Sequence, residues 1–306
     1  MSAIYRALIE PLLDQVRRIP KRRESPAPDG LGVALGGGFA RGFAHVGVLQ
    51  VLEENQIPIS YIAGTSVGSI LGGAYASGVP VARMASICRN IQFRDFGRWK
   101  LSRLGLASND RMAELIRRSF IALTFEELII PTAVVATDLG TGEPYVFTSG
   151  GLIDAIRASC AFPGMFEPVQ VGEHWLADGG LVAPVPTRQA KDLGARCVLG
   201  VSVGFNNWNG SAPVNLFQVV SRAVSAAQKH QTESWSSSAD ILLEPDVQHI
   251  DWDEFNRADE AIAAGAAAAR AALPRLRQLL RLPEKTKPAA PDCPTSEPGW
   301  NEGTAR

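Results

Sequence analysis

The sequence predicts an α/β fold of three layers, α/β/α, with a mainly parallel central sheet. Three observations carry that expectation. From Leu31 onward, short β-rich runs alternate with helical runs, the pattern of βαβ units. A glycine loop, Gly36-Gly37-Gly38, follows the first apolar run and opens a helix. A second small-residue turn, Gly64-Thr65-Ser66-Val67-Gly68, stands between the second apolar run and the next helix. The chain has 306 residues, 46% hydrophobic and 20% charged, which is ordinary globular composition and enough to bury a full core. Its net charge of −1 gives no global electrostatic reason to expect nucleic acid as a partner.

At the N-terminus, Ile4, Tyr5, Leu8, Ile9, Leu12, Leu13 and Val16 recur at helical spacing and predict an amphipathic helix. One reading packs this stripe on the domain or on a second copy of the chain. The other lays it on a membrane surface, helped by Lys21, Arg22 and Arg23. Arg6, Glu10 and Asp14 interrupt the apolar run, so it does not read as a signal peptide. Pro26 and Pro28 mark a linker. Residues 1–30 are therefore expected to be helix and linker, and residues 31–282 one α/β domain. Residues 283–306, rich in Pro, Thr, Ser and charge, are expected to be a disordered tail.

Within the domain, strands are expected over residues 31–35, 59–63, 132–137, 145–148, 175–177, 197–203 and 241–243. Helices are expected over 40–55, 66–77, 152–160, 214–233 and 251–280. Residues 55–82 lack charge and are long enough to span a bilayer. Two prolines and five glycines divide that run into a strand, a turn and a small-residue helix, so it reads as buried rather than membrane-spanning. Cys88, Cys160, Cys197 and Cys293 are widely separated and lack metal-ligand spacing. Free thiols in a reducing cytosol are expected, with neither zinc nor disulfide.

Gly36 to Gly42, read GGGFARG, presents backbone N–H groups at a helix start and suits an anion. The spacing also resembles a dinucleotide turn, but the second strand does not end in the acidic residue that would hold a ribose. Gly64 to Gly68 has the G-x-S-x-G form of a nucleophile elbow, in which a sharp strand-to-helix turn leaves no room for side chains two residues before and after the serine. A serine hydroxyl needs a base, and Asp178-Gly179-Gly180 follows another short apolar run, although Asp-Gly is also a common turn.

Together and in this order, these motifs resemble the patatin-like phospholipase family. The resemblance extends through residues 136–143, ATDLGTGE, and 158–168, ASCAFPGMFEP, and covers about residues 31–205. It implies a patatin-like fold and an acyl hydrolase with a Ser-Asp dyad. Ser66 would be the nucleophile and Asp178 its activator, with backbone N–H groups around Gly37, Gly38 and Phe39 as the oxyanion hole. Gly36, Gly42, Gly64, Gly68, Gly179 and Gly180 would support that geometry. Arg41 would be a fixed positive charge that either contacts substrate or braces the loop. No metal or cofactor is implied. Two positions depart from the family pattern: Ala183 replaces a frequent Asn, and Val67 replaces a smaller residue. A free aspartate is a weak base at neutral pH, so this reading requires a desolvated carboxylate with a raised pKa. The rival is a Ser-Asp-His triad using His230 or His249.

The implied substrates are fatty-acyl esters of phospholipids or lysophospholipids. A general carboxylesterase or thioesterase would use the same machinery, and a regulator or scaffold on a patatin-like fold is the non-enzymatic alternative. Residues 83–118 carry nine basic residues against three acidic ones. Phe93, Phe96, Trp99, Leu101, Leu104 and Leu106 there interleave with Arg94, Arg98, Lys100 and Arg103. That segment reads either as peripheral contact with an anionic membrane or as a cap helix over the site with solvated arginines. The expected location is cytoplasmic, with peripheral attachment to the inner membrane face as the variant. Homo-oligomerisation stands open.

Overall fold

The computed structural model describes residues 30–100, 102–204 and 212–283. The N-terminal helix, its basic cluster, the tail and Cys293 lie outside the described residues. Strand β1 (Leu31–Leu35) leads through a 3-10 turn (Phe39–Phe43) into α1 (Ala44–Glu54), and β2 (Ile59–Thr65) leads into α2 (Val67–Ala76). Next come α3 (Val81–Asn90), a 3-10 turn (Phe93–Asp95), β3 (Arg98–Trp99), β4 (Ala107–Ser108) and α4 (Asp110–Ser119). Then follow β5 (Thr132–Asp138), β6 (Pro144–Phe147), α5 (Leu152–Ser159), β7 (Val169–Val171) and β8 (His174–Asp178). The chain continues with α6 (Thr187–Asp192), β9 (Cys197–Val201), α7 (Leu216–His230), α8 (Thr232–Ser236), β10 (Ile241–Leu243) and α9 (Ala258–Leu279).

The main sheet runs β10-β9-β1-β2-β5-β8-β7, parallel from β10 to β5, with β8 and β7 antiparallel and β6 also paired to β5. Alternation within each strand builds the three layers. Val33, Leu35, Ile62 and Val134 face a large core shared with α1, α2 and α9. Ala34, Ala63 and Ala133 face the opposite, thinner core against Ala190 of α6. Both faces are therefore covered, which is why β1, β2 and β5 are buried along their full length. The strand order reverses between β1 and β9, and in such sheets ligands bind beyond the carboxyl ends of the strands at that switch.

Three expectations change. The helix expected over 40–55 begins as a 3-10 turn, because Phe39 enters with φ of 51° and the Ala40 N–H donates to the Trp252 carbonyl. The helix expected over 251–280 starts at Ala258, after a 3-10 turn at Phe255–Arg257 and a loop in which Glu254 accepts from the Asp251 N–H. The cap-helix reading of residues 93–106 is incorrect. That segment is a 3-10 turn followed by the β3–β4 hairpin, with Gly97 and Gly105 packed tightly against Phe166 where a helical side chain would not fit. Helices α3 and α4 were not foreseen, although Met112, Leu115, Ile116 and Ser119 stand at helical spacing and are buried.

Among the described residues, no helix is long and apolar enough to cross a membrane. Cys88, Cys160 and Cys197 are buried free thiols.

Candidate active site

Strand β5 aligns the two central residues. Residues 62–65 of β2 pair with 132–135 of β5, residues 144–147 of β6 with 134–137, and residues 176–178 of β8 with 136–138. A strand has two edges. The β6 register overlaps both others, so β2 and β8 must share the remaining edge, lying end to end. Thr65 thus stands beside Val135 and Asp178 beside Ala136. Ser66, the next residue after β2, meets the end of β8 across a single strand position.

There the Ser66 hydroxyl donates to Asp178 Oδ2 at 2.7 Å. The other carboxylate oxygen, Oδ1, accepts from the Gly180 N–H at 2.8 Å. The Asp178 backbone is pinned as well, its N–H to the Ala161 carbonyl and its carbonyl to Thr137 Oγ1. Burial raises the Asp178 pKa to about 6, against the opposing hydrogen bonds from Ser66 and Gly180. The desolvated carboxylate that the sequence reading required is therefore present.

Ser66 has φ of 54° and ψ of −127°, a conformation that costs a serine about 1–3 kcal/mol unless its surroundings impose it. The surroundings do. A side chain at Gly68 would come within 2.1 Å of the Leu35 carbonyl oxygen, and one at Gly64 within 2.6 Å of the Gly68 carbonyl oxygen. Strand, serine and helix can turn this sharply only with glycine on both sides. Below the turn, the Ser66 N–H donates to Ser159 Oγ at 2.8 Å, and that hydroxyl donates to the Val135 carbonyl. Ser159 is fully buried. Ser159→Ala would orphan a buried donor and a buried acceptor, and is expected to lower stability by about 1–3 kcal/mol in urea unfolding.

The glycine loop crosses in front of this turn. A side chain at Gly37 would be 3.3 Å from Ser66 Cβ. The Gly36 N–H donates to the Val201 carbonyl and the Gly37 N–H to the Pro184 carbonyl. The expected oxyanion set therefore needs correction: Gly37 holds the loop to the Pro184 segment and does not offer its N–H to the site. Gly38 makes no such bond among the described residues. Gly42 packs against Val67, whose γ-carbons would lie within 2.8 Å of any side chain there. Gly179 accepts from the Val182 and Ala183 N–H groups, and the Ala183 carbonyl accepts from Thr65 Oγ1. Position 183 is thus used through its backbone.

Arg41 braces the loop. Its guanidinium donates to the Ile250 and Gly204 carbonyls and is buried, which lowers its pKa, while Asp251 favours the charge. His45 Nε2 donates to the Gly36 carbonyl at 2.8 Å, and burial lowers its pKa to about 4, so the ring is neutral. No histidine is hydrogen bonded to Ser66 or Asp178. His174 meets Asp138, His249 meets Glu260, and His230 is exposed at the end of α7. The triad partners named from chain order are not brought to the site.

A cleft of about 40 Å³ opens on Ser66, walled by Phe39, Phe43, Phe93, Phe96, Phe166 and Phe255 together with Val67, Ile70, Met112 and Cys160. Across Phe39 lies a second cavity, of about 350 Å³, with Arg41, Arg222, Asp251 and Asp253 in its lining. Among the described residues, no cluster of His, Cys, Asp and Glu could hold a metal ion. The roles of Ser159 and Thr137 were missed from sequence, although both lie in runs that carry the family resemblance.

Residues 33–191 match the family described as Patatin-like phospholipase. An uncharacterised NTE family protein of Mycobacterium tuberculosis is 36% identical over 174 residues, 56% of this chain and 48% of that protein. A lysophospholipase, nte1, of Aspergillus fumigatus is 27% identical over 290 residues, 84% of this chain and 19% of that protein. The chain spans about half the length of its mycobacterial relatives. The crystal structure of VipD from Legionella pneumophila aligns with a TM-score of 0.53 at 14% identity, covering 83% of this chain and 66% of VipD, a likeness of fold.

Proposed function

The chain belongs to the patatin-like phospholipase family, and on that premise we propose that Ser66 and Asp178 form a dyad that hydrolyses fatty-acyl esters of lysophospholipids or phospholipids. The observation that carries this reading is the 2.7 Å hydrogen bond from a strained, glycine-flanked serine to a buried carboxylate with a raised pKa, beneath an apolar cleft.

The Ser66 oxygen attacks the ester carbonyl while its proton passes to Asp178 Oδ2. Negative charge develops on the carbonyl oxygen. We assign its stabilisation to the Gly38 N–H and to the Val67 N–H at the positive end of α2, donors of a kind worth roughly 3–4 kcal/mol each. Collapse expels the alcohol, which takes the proton back from Asp178 and leaves an acyl group on Ser66. Water then attacks that ester, giving its proton to Asp178. Release of the fatty acid restores the Ser66 hydroxyl.

The aromatic cleft on one side of Phe39 and the charged cavity on the other suit an amphipathic ester. The β3–β4 hairpin supports membrane delivery. Trp99 is 67% exposed and Leu104 58%, beside Arg98 and Arg103, a combination suited to an anionic bilayer surface. Trp99→Ala combined with Arg98→Glu and Arg103→Glu is expected to reduce co-sedimentation with anionic liposomes at least tenfold. Unchanged sedimentation would contradict the membrane role.

The activity is tested by mass spectrometry of fatty acid released from lysophospholipid and diacyl phospholipid vesicles. Release by the wild type supports the hydrolase. No release, together with no labelling of Ser66 by a fluorophosphonate, would favour the regulator or scaffold. Labelling without release would point to a different ester or thioester.

A further inference from the structure

We propose that the acyl chain of the substrate lies in an apolar channel that runs from Ser66 along one face of α2, and that Ala74 and Leu115 set the chain length accepted. This rests on the hydrolase reading and deepens it. The cleft over Ser66 adjoins another small cavity, of about 40 Å³, and the two share Phe43, Val67, Ile70 and Phe96 in their linings. Neither lining contains a charged side chain.

Val67, Ile70, Leu71 and Ala74 stand at i, i+3, i+4 and i+7 of α2 and all line the second cavity, so it follows one helical stripe away from the nucleophile. From Val67 to Ala74 that stripe covers about 10 Å at 1.5 Å per residue. Ala74, Met84, Cys88, Leu115 and Phe120 wall its inner part. Apart from Ser119, these walls offer water no good hydrogen-bonding partner, and apolar cavities take up hydrocarbon in preference. The opposite direction suits an acyl chain less, since beyond Phe39 the lining carries Arg41, Arg222, Asp251 and Asp253 beside its aromatic residues. The ester carbonyl at Ser66 therefore marks the boundary: hydrocarbon toward α3 and α4, polar group toward α7.

Each methylene that enters the channel is expected to raise kcat/KM by up to about fourfold until the space is filled. The test is kcat/KM for p-nitrophenyl esters from butyrate to palmitate with wild type, Ala74→Phe and Leu115→Ala, each checked for folding by thermal unfolding. Ala74→Phe should lower the palmitate-to-butyrate ratio at least tenfold, because butyrate is too short to reach position 74. Leu115→Ala should move the preferred length upward. A folded Ala74→Phe protein with an unchanged ratio overturns the proposal. If that variant does not fold, an unchanged optimum in Leu115→Ala overturns it instead. Should the wild type cleave no ester, the hydrolase reading fails and binding of parinaric acid tests the channel by itself. Saturable fluorescence weakened by Ala74→Phe supports the channel, and no binding, or binding indifferent to that change, refutes it.

Discussion

Ser66→Ala is expected to reduce fatty-acid release by about ten-thousand-fold or more, the scale of loss when a covalent nucleophile is removed from a unit that acts together. The residue lies where three constraints meet: the left-handed backbone between Gly64 and Gly68, the Ser159 hydroxyl beneath its N–H, and Asp178 Oδ2 at its Oγ. Alanine satisfies the first two and loses only the third. The cleft and the oxyanion donors survive, so substrate binding should change little while turnover collapses. Deleting the hydroxyl also removes a hydrogen bond that lowers the Asp178 pKa, so the carboxyl of the variant should titrate at higher pH than in the wild type.

Asp178→Asn is expected to abolish activity and to stabilise the protein. The native carboxyl has a pKa of about 6 because it is buried, whereas in the unfolded chain it reverts to about 3.9. Between those values the folded state keeps a proton that the unfolded state has lost. Stability linked to this group is therefore fully present below about pH 4 and is lost as pH rises through about 6. By pH 8 the desolvated charge costs about 3 kcal/mol, and asparagine, which can still accept from the Gly180 N–H, avoids that cost. The variant should melt on the order of 5–10 °C higher than wild type at pH 8, with the gap closing near pH 4. Activity runs the other way. Only ionised Asp178 accepts the Ser66 proton, so wild-type turnover should rise with pH through about 6 and then level off. Equal melting temperatures at pH 8, or turnover flat from pH 5 to 8, would remove Asp178 from the role of base.

Much of this was legible because the informative features are local. A strand, a glycine-flanked serine and a small-residue helix within residues 59–76 specify their own turn by steric exclusion, and the structure has Ser66 at φ of 54°. What brings Ser66 to Asp178 is not local. It depends on β2 and β8 sharing one edge of β5, a register that no single segment encodes. The same limit explains Gly37, whose motif position suggests a free donor, while its N–H is taken by Pro184, 147 positions on. Residues 93–106 misled because interleaved aromatic and basic side chains suit a helix and a hairpin alike. The two glycines at 97 and 105 were the signal to weigh. Ser159 and Thr137 carried no chemical signature, since a serine under a backbone N–H looks like any buried serine until the partner strand is placed.

The most direct test of the central claim is rapid-quench mass spectrometry of the protein during turnover of a lysophospholipid, reading acyl mass on the tryptic peptide of residues 42–83. An acyl adduct on Ser66, formed by the wild type and missing from Ser66→Ala and Asp178→Asn, is the predicted result. Fatty-acid release that continues with Ser66 unmodified, or an adduct on any other residue, would contradict it.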